Sequence, residues 1–175
     1  MRHNQGFSLI ELIVVIVIAA ILISGAGVGL QYLTYSNTEK IARSIDQSLG
    51  KLQLETMSTG NQYSYLAIEW DEVEKAYFLC NVISTIQVTQ TNWDTVTKTI
   101  TNRKKIANSN TIISYSSNAD GSNQTIIRDT IKIVLLNFKP GSGAFQSNSQ
   151  LIIINTSGKL KKLQLILLTG NHYIE

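Results

Sequence analysis

From Leu12 to Ile23 the chain carries no polar residue, and from Phe7 to Leu30 its only ionisable group is Glu11. A helix over Phe7 to Leu30 would rise about 36 Å, enough to cross the roughly 30 Å hydrocarbon core of a bilayer. The 175 residues allow one modest domain besides this segment. Glu11 is the informative exception. An acid at membrane depth costs on the order of 2.5–3.5 kcal/mol on insertion scales, so it is expected to meet a partner. A secretory signal peptide would use Arg2 and His3 as its basic region and Ser24 to Gly27 as its cleavage site. That reading, or an uncleaved anchor, accounts for the apolar run and leaves Glu11 unexplained.

The helical pattern continues past the apolar run. Ile41, Ile45, Leu49 and Leu52 recur at steps of three and four, while Glu39, Lys40, Arg43, Asp46, Gln47 and Lys51 fill the opposite face. One helix from about Ser8 to Met57 is expected, roughly 75 Å long. Its first half is apolar all round and its second half is amphipathic. Gly25, Gly27 and Gly29 weaken it locally, either as a segment that stretches on polymerisation or as a site of close helix packing.

After Gly60 the period changes. The runs "QYSYLAIEW", "KAYFLCNVI", "NTIISYSS", "TIIRDTIKIVLLNFK", "QLIIIN" and "KLKKLQLILL" are rich in β-branched and aromatic residues and are separated by Asn, Gly and Ser. Asn155 to Gly158 reads as a hairpin turn between strands at Leu151–Ile154 and Leu160–Leu167. The expected class is α+β: a long N-terminal helix packed on a C-terminal antiparallel β domain.

The string Gly6-Phe7-Ser8-Leu9-Ile10-Glu11, followed by twelve apolar residues, resembles the N-terminus of type IV pilins and pseudopilins. The resemblance implies that residues 1–6 are a leader, cut between Gly6 and Phe7 by prepilin peptidase. It further implies N-methylation of Phe7 and a role for Glu11 in subunit assembly. The implied organisation is a transmembrane or filament-core helix over 7–30, the amphipathic half of the same helix over 31–59, and a pilin-like β domain over 60–175. Implied partners are other pilin or pseudopilin subunits, the peptidase and methylase, and an assembly platform in the cytoplasmic membrane. The implied location is that membrane, in a single pass with the domain outside, and then a periplasmic or surface filament. Cleavage would place an ammonium on Phe7, one helical turn from Glu11 of the same chain. A neighbouring helix shifted along its axis can bring its own carboxylate to that ammonium, as buried polar groups set register in coiled coils.

A second, looser resemblance is to H-type minor pseudopilins of type II secretion. It rests on Phe138, Pro140, Gly141 or Gly143, and Thr169 and Gly170.

Nothing in the sequence points to catalysis or to a cofactor: there is no HExxH, CxxC, GxSxG or phosphate-loop pattern. Asn118, Asp120 and Ser122 are spaced loosely like a calcium loop but lack its closing Glu, and no metal is expected there. Glu69, Asp71, Glu72 and Glu74 read as a solvated acidic loop, and Cys80 as a buried core residue. Arg103, Lys104 and Lys105, with Lys159, Lys161 and Lys162, read first as solvated faces. The alternative is a competence-type or adhesive minor pilin whose β domain uses Arg103, Lys104 and Lys105 to bind DNA or another surface ligand.

Overall fold

The computed structural model describes residues 9–129, 131–146 and 150–175, and the side chains of 24–36 lie outside the description. One helix, α1 (Leu9–Thr59), runs for 51 residues and passes unbroken through Gly25, Gly27 and Gly29. No proline interrupts it, since the only one in the chain is Pro140. It ends at Gly60, whose φ of 69° is the left-handed conformation that closes helices. The Gly60 N–H donates to the Thr56 carbonyl at 3.0 Å.

Among the described residues nine strands follow: β1 (Ser64–Asp71), β2 (Ala76–Ser84), β3 (Lys98–Asn108), β4 (Thr111–Ser116), β5 (Gln124–Ile126), β6 (Ile133–Leu136), β7 (Leu151–Thr156), β8 (Lys159–Leu165) and β9 (His172–Ile174). They form two sheets, ordered β3-β2-β1-β6 and β5-β4-β7-β8-β9. All pairings within the sheets are antiparallel. The class expected from the sequence, a helix followed by antiparallel β structure, is the one observed.

The amphipathic half of α1 seats the helix. Thr38, Ile41, Ala42, Ile45, Leu49, Leu52 and Thr56 are buried in one stripe, and Arg43, Gln47 and Lys51 stay exposed. The stripe enters a core with Leu66, Ile68, Leu79 and Leu136 from the four-stranded sheet and Ile113, Ile152, Ile154 and Leu163 from the five-stranded one. A second core lies among Tyr65, Ala67, Cys80 and Val82, with Val88 and Trp93 of the β2–β3 connection packed among them. The two cores take alternate residues of β1 and β2, so both faces of these strands are buried. That is why their sequences are nearly continuous apolar runs.

Two strand assignments change. The run "TIIRDTIKIVLLNFK" is not one strand: β5 belongs to one sheet and β6 to the other. The chain crosses at Arg128, whose φ is 148° and whose N–H donates to the Ile131 carbonyl at 2.8 Å. Conversely, Arg103, Lys104 and Lys105, read from the sequence as a solvated basic group in no strand, lie in β3, at 11 residues the longest of the described strands. It is an edge strand exposed over most of its length, so burial imposes no apolar alternation on it.

The β7–β8 hairpin turns through Ser157 and Gly158, with φ of 50° and 81°, as a two-residue primed turn requires. Asn155 Oδ1 accepts the Gly158 N–H at 3.1 Å.

The Phe138-Lys139-Pro140-Gly141 segment forms a closed loop in which Phe138 stacks on Phe145 with ring centres 4.4 Å apart. That loop meets the Thr169–Gly170 turn on α1. Gln53 Nε2 donates to the Gly143 carbonyl at 2.8 Å. A Cβ on Gly170 would lie 1.7 Å from that same carbonyl oxygen, and the φ of Gly170 is 72°. Gly170→Ala should therefore destabilise the protein by about 2–3 kcal/mol. Gly141→Ala, at φ 80° but with nothing within 4 Å, should cost only about 1 kcal/mol. Thermal unfolding of the two variants side by side checks this; equal losses would mean the close approach is not what selects glycine at 170.

Candidate assembly surface

Gly6 and Phe7 lie outside the described residues, and Glu11 sits in the first turn of α1. Around Glu11 the helix presents apolar side chains in every direction. None of the large ones from Leu9 to Ile23 falls below 49% exposure. Among the helix side chains that are described, burial against the β domain begins at Thr38. Leaving a dozen large apolar side chains in water costs on the order of 20 kcal/mol. Such a surface marks contact with lipid or with another apolar chain.

The described apolar side chains, Leu9 to Ile23, cover about 22 Å of helix axis. Among the described residues no helix is long and apolar enough to cross a membrane. The expected span of 7–30 extends beyond them at both ends.

The stem is held to the domain by polar contacts as well as by the core. Glu39 lies between two cations, 2.9 Å from Arg43 Nε and 3.2 Å from Lys161 Nζ of β8. The ring nitrogens of His172 lie 3.2 Å from the Gly170 carbonyl and 3.1 Å from the Asp46 carbonyl of α1. Gln53, Glu39 and His172 were not singled out by sequence reasoning. Gln53 and Glu39 look like ordinary residues of a helix's polar side, and only tertiary packing places them at a junction.

The basic and acidic groups meet each other. Arg103 of β3 reaches Asp71 at 2.6 Å, Glu69 at 3.6 Å and Glu74 at 3.7 Å, and its guanidinium stacks over Phe78 at 3.6 Å. Lys105 lies 3.9 Å from Glu74, and Lys104 Nζ donates to Ser44 Oγ of α1 at 3.2 Å. Lys159, Lys161 and Lys162 do not act as one patch, since Lys161 turns to Glu39. The "NADGSN" loop is occupied by its own hydrogen bonds: Asp120 Oδ1 accepts from both the Ser122 N–H and the Ser122 hydroxyl at 2.8 Å. The loop also lies over the five-stranded sheet, with Gly121 against Leu151 and Ile153. Among the described residues no cluster of His, Cys, Asp or Glu is arranged to hold a metal ion. Cys80 is buried, and that burial pushes its thiol up to about 12, far from a reactive thiolate.

Asp71 is held below the usual carboxylate range, first by the Glu74 N–H and then by Arg103. Its stabilising contribution is therefore complete above the unfolded value of about 3.9 and is lost as pH falls through the lower folded value. Asp71→Asn should lose less melting temperature than the parent between about pH 4 and pH 2. Identical acid limbs would remove Asp71 from the acid response.

A model of the prokaryotic N-terminal methylation motif matches residues 1–27. No curated protein and no solved structure matches the chain. The matched stretch contains Gly6, Phe7, Glu11 and the exposed apolar turns of α1. It supports a type IV pilin-like chain that prepilin peptidase processes and that assembles with other pilins.

Proposed function

We propose that this protein is a minor pilin or pseudopilin, a structural subunit of a type II secretion or type IV pilus-like filament, and not an enzyme. The observation that carries the reading is the stem. A helix apolar on all sides, with one carboxylate in its first turn, leads into a domain that covers none of that surface. In the proposed cycle residues 7–30 first lie in the cytoplasmic membrane with the β domain outside. Prepilin peptidase cuts between Gly6 and Phe7, and Phe7 is N-methylated. The subunit then leaves the bilayer for a bundle of like helices, so the apolar surface exchanges lipid for neighbouring stems and is never presented to water. Glu11 pairs with the Phe7 ammonium of an adjacent subunit and so sets the axial offset. The Phe138–Gly143 and Thr169–Gly170 segments, which carry the resemblance to H-type pseudopilins, pack together on α1 at Gln53. This is consistent with a shared way of closing the domain onto its helix.

The N-terminal peptide from native cells should begin at N-methylated Phe7; an intact Met1, or a start near Gly27, would overturn the reading. Glu11→Ala should leave membrane insertion intact. Its incorporation into filaments should fall by about a hundredfold or more, the scale of removing one partner of a buried charge pair. Normal incorporation, measured by quantifying the subunit in sheared filaments, would refute the registry role.

A further inference from the structure

The second core takes Tyr65 and Leu135 and no residue of α1, so it lies on the face of the four-stranded sheet opposite the helix. On that face a cleft of about 440 Å³ opens between the β2–β3 connection and the end of β6. Its volume is within the roughly 300–1,000 Å³ range of small-molecule sites. None of the residues lining it carries a charge.

Asn137, on its wall, is only 7% exposed. Its Nδ2 donates to Gln146 Oε1 at 2.8 Å, and among the described residues no donor reaches its Oδ1. One hydrogen bond between two carboxamides uses one N–H and one carbonyl, whichever way each amide is turned. The pair therefore keeps a carbonyl on one member and an N–H on the other, and Asn137 is so deeply set that a donor reaches it by way of the cleft. Tyr65, also on the wall, accepts the Val88 N–H at 3.0 Å, and among the described residues nothing takes its own proton. Burial pushes that phenol above its ordinary value, so it stays a donor.

These groups select by chemistry. A charged ligand would lose hydration here with no counter-charge to replace it. A purely apolar one would leave the tyrosine hydroxyl and the amide pair without partners. A neutral group offering N–H and C=O together satisfies both halves of the pair, and a methyl on it meets the half-buried Leu135 and Val88. The acetamido group has this composition. Gln87, Gln90 and the threonines at 89 and 91 line the same cleft and suit the hydroxyls of a sugar ring.

We propose that this cleft binds a neutral saccharide bearing an N-acetyl group. With the stems bundled, the face opposite α1 is turned away from the bundle, where an external saccharide can reach it. That outward placement rests on the proposed function; the chemistry of the cleft does not.

The test titrates the full-length chain in phosphatidylcholine nanodiscs with three probes, read by saturation-transfer NMR. They are the β-linked disaccharide of N-acetylglucosamine, cellobiose, which has hydroxyls in place of the acetamido groups, and N-acetylalanine methylamide. The acetylated disaccharide should bind, with its acetyl methyl the most strongly saturated group, and cellobiose should bind at least about tenfold more weakly. Asn137→Leu should abolish binding. Gln146→Ala, at an exposed position, should weaken it about tenfold, and it decides the matter if the Asn137 variant fails to fold. Equal affinity for the two disaccharides, no binding of either, or full affinity in Gln146→Ala would each overturn the inference. Binding of the methylamide alone would assign the cleft to a peptide and overturn it too. None of these results bears on cleavage at Gly6 or on Glu11, so the assembly reading is tested separately.

Discussion

The structure depends on one helix having two solvents. The first described turns of α1 carry large apolar side chains of which none is less than 49% exposed, whereas the turns from Thr38 bury a single stripe in the main core. Backbone hydrogen bonding inside the helix makes this feasible, because the segment carries no unsatisfied peptide groups into an apolar medium. The same rod then belongs to two environments at once, and the β domain is whatever can be closed around its second half.

Closure comes from the end of the chain. The loop after β6 and the turn before β9 approach so closely that only glycine fits at 170, and Gln53 ties the pair to the helix. His172 adds a contact one and a half to two turns back along α1, at the Asp46 carbonyl. The C-terminal strand and the helix are thus fastened at a side of the domain far along α1 from the stem. Near the stem the fastening is ionic, through Glu39 with Arg43 and Lys161. A domain clamped at both ends of its helix contact moves with its stem as one body, which suits a part whose position is set by the packing of helices.

Electrostatics on the four-stranded sheet are largely internal. The acidic group and Arg103, which look like separate solvated faces when the chain is read linearly, are joined across β1, β2 and β3, with the guanidinium lying on Phe78. An arginine already facing three carboxylates presents little net charge to a polyanion. That weighs against the nucleic-acid reading of Arg103, while Lys104 turns to the Ser44 hydroxyl of α1.

Periodicity alone determined the long helix and its buried stripe, since a 3.6-residue repeat of apolar side chains has one geometric solution. It also determined the apolar run around Glu11 and most of the strands, where β-branched residues alternate or cluster between turn residues. The order Gly6, Phe7, Glu11 was equally legible, because processing reads a short local string. Only the tertiary structure decided that β3 is a strand, since an exposed edge needs no apolar pattern, and that "TIIRDTIKIVLLNF" is shared between two sheets. It alone decided the partners of Arg103, Glu39, Gln53 and His172. The contacts Arg103–Asp71, Gln53–Gly143, Glu39–Lys161 and His172–Asp46 join residues from 32 to 126 positions apart, and no local pattern in a sequence encodes which distant groups folding will bring together.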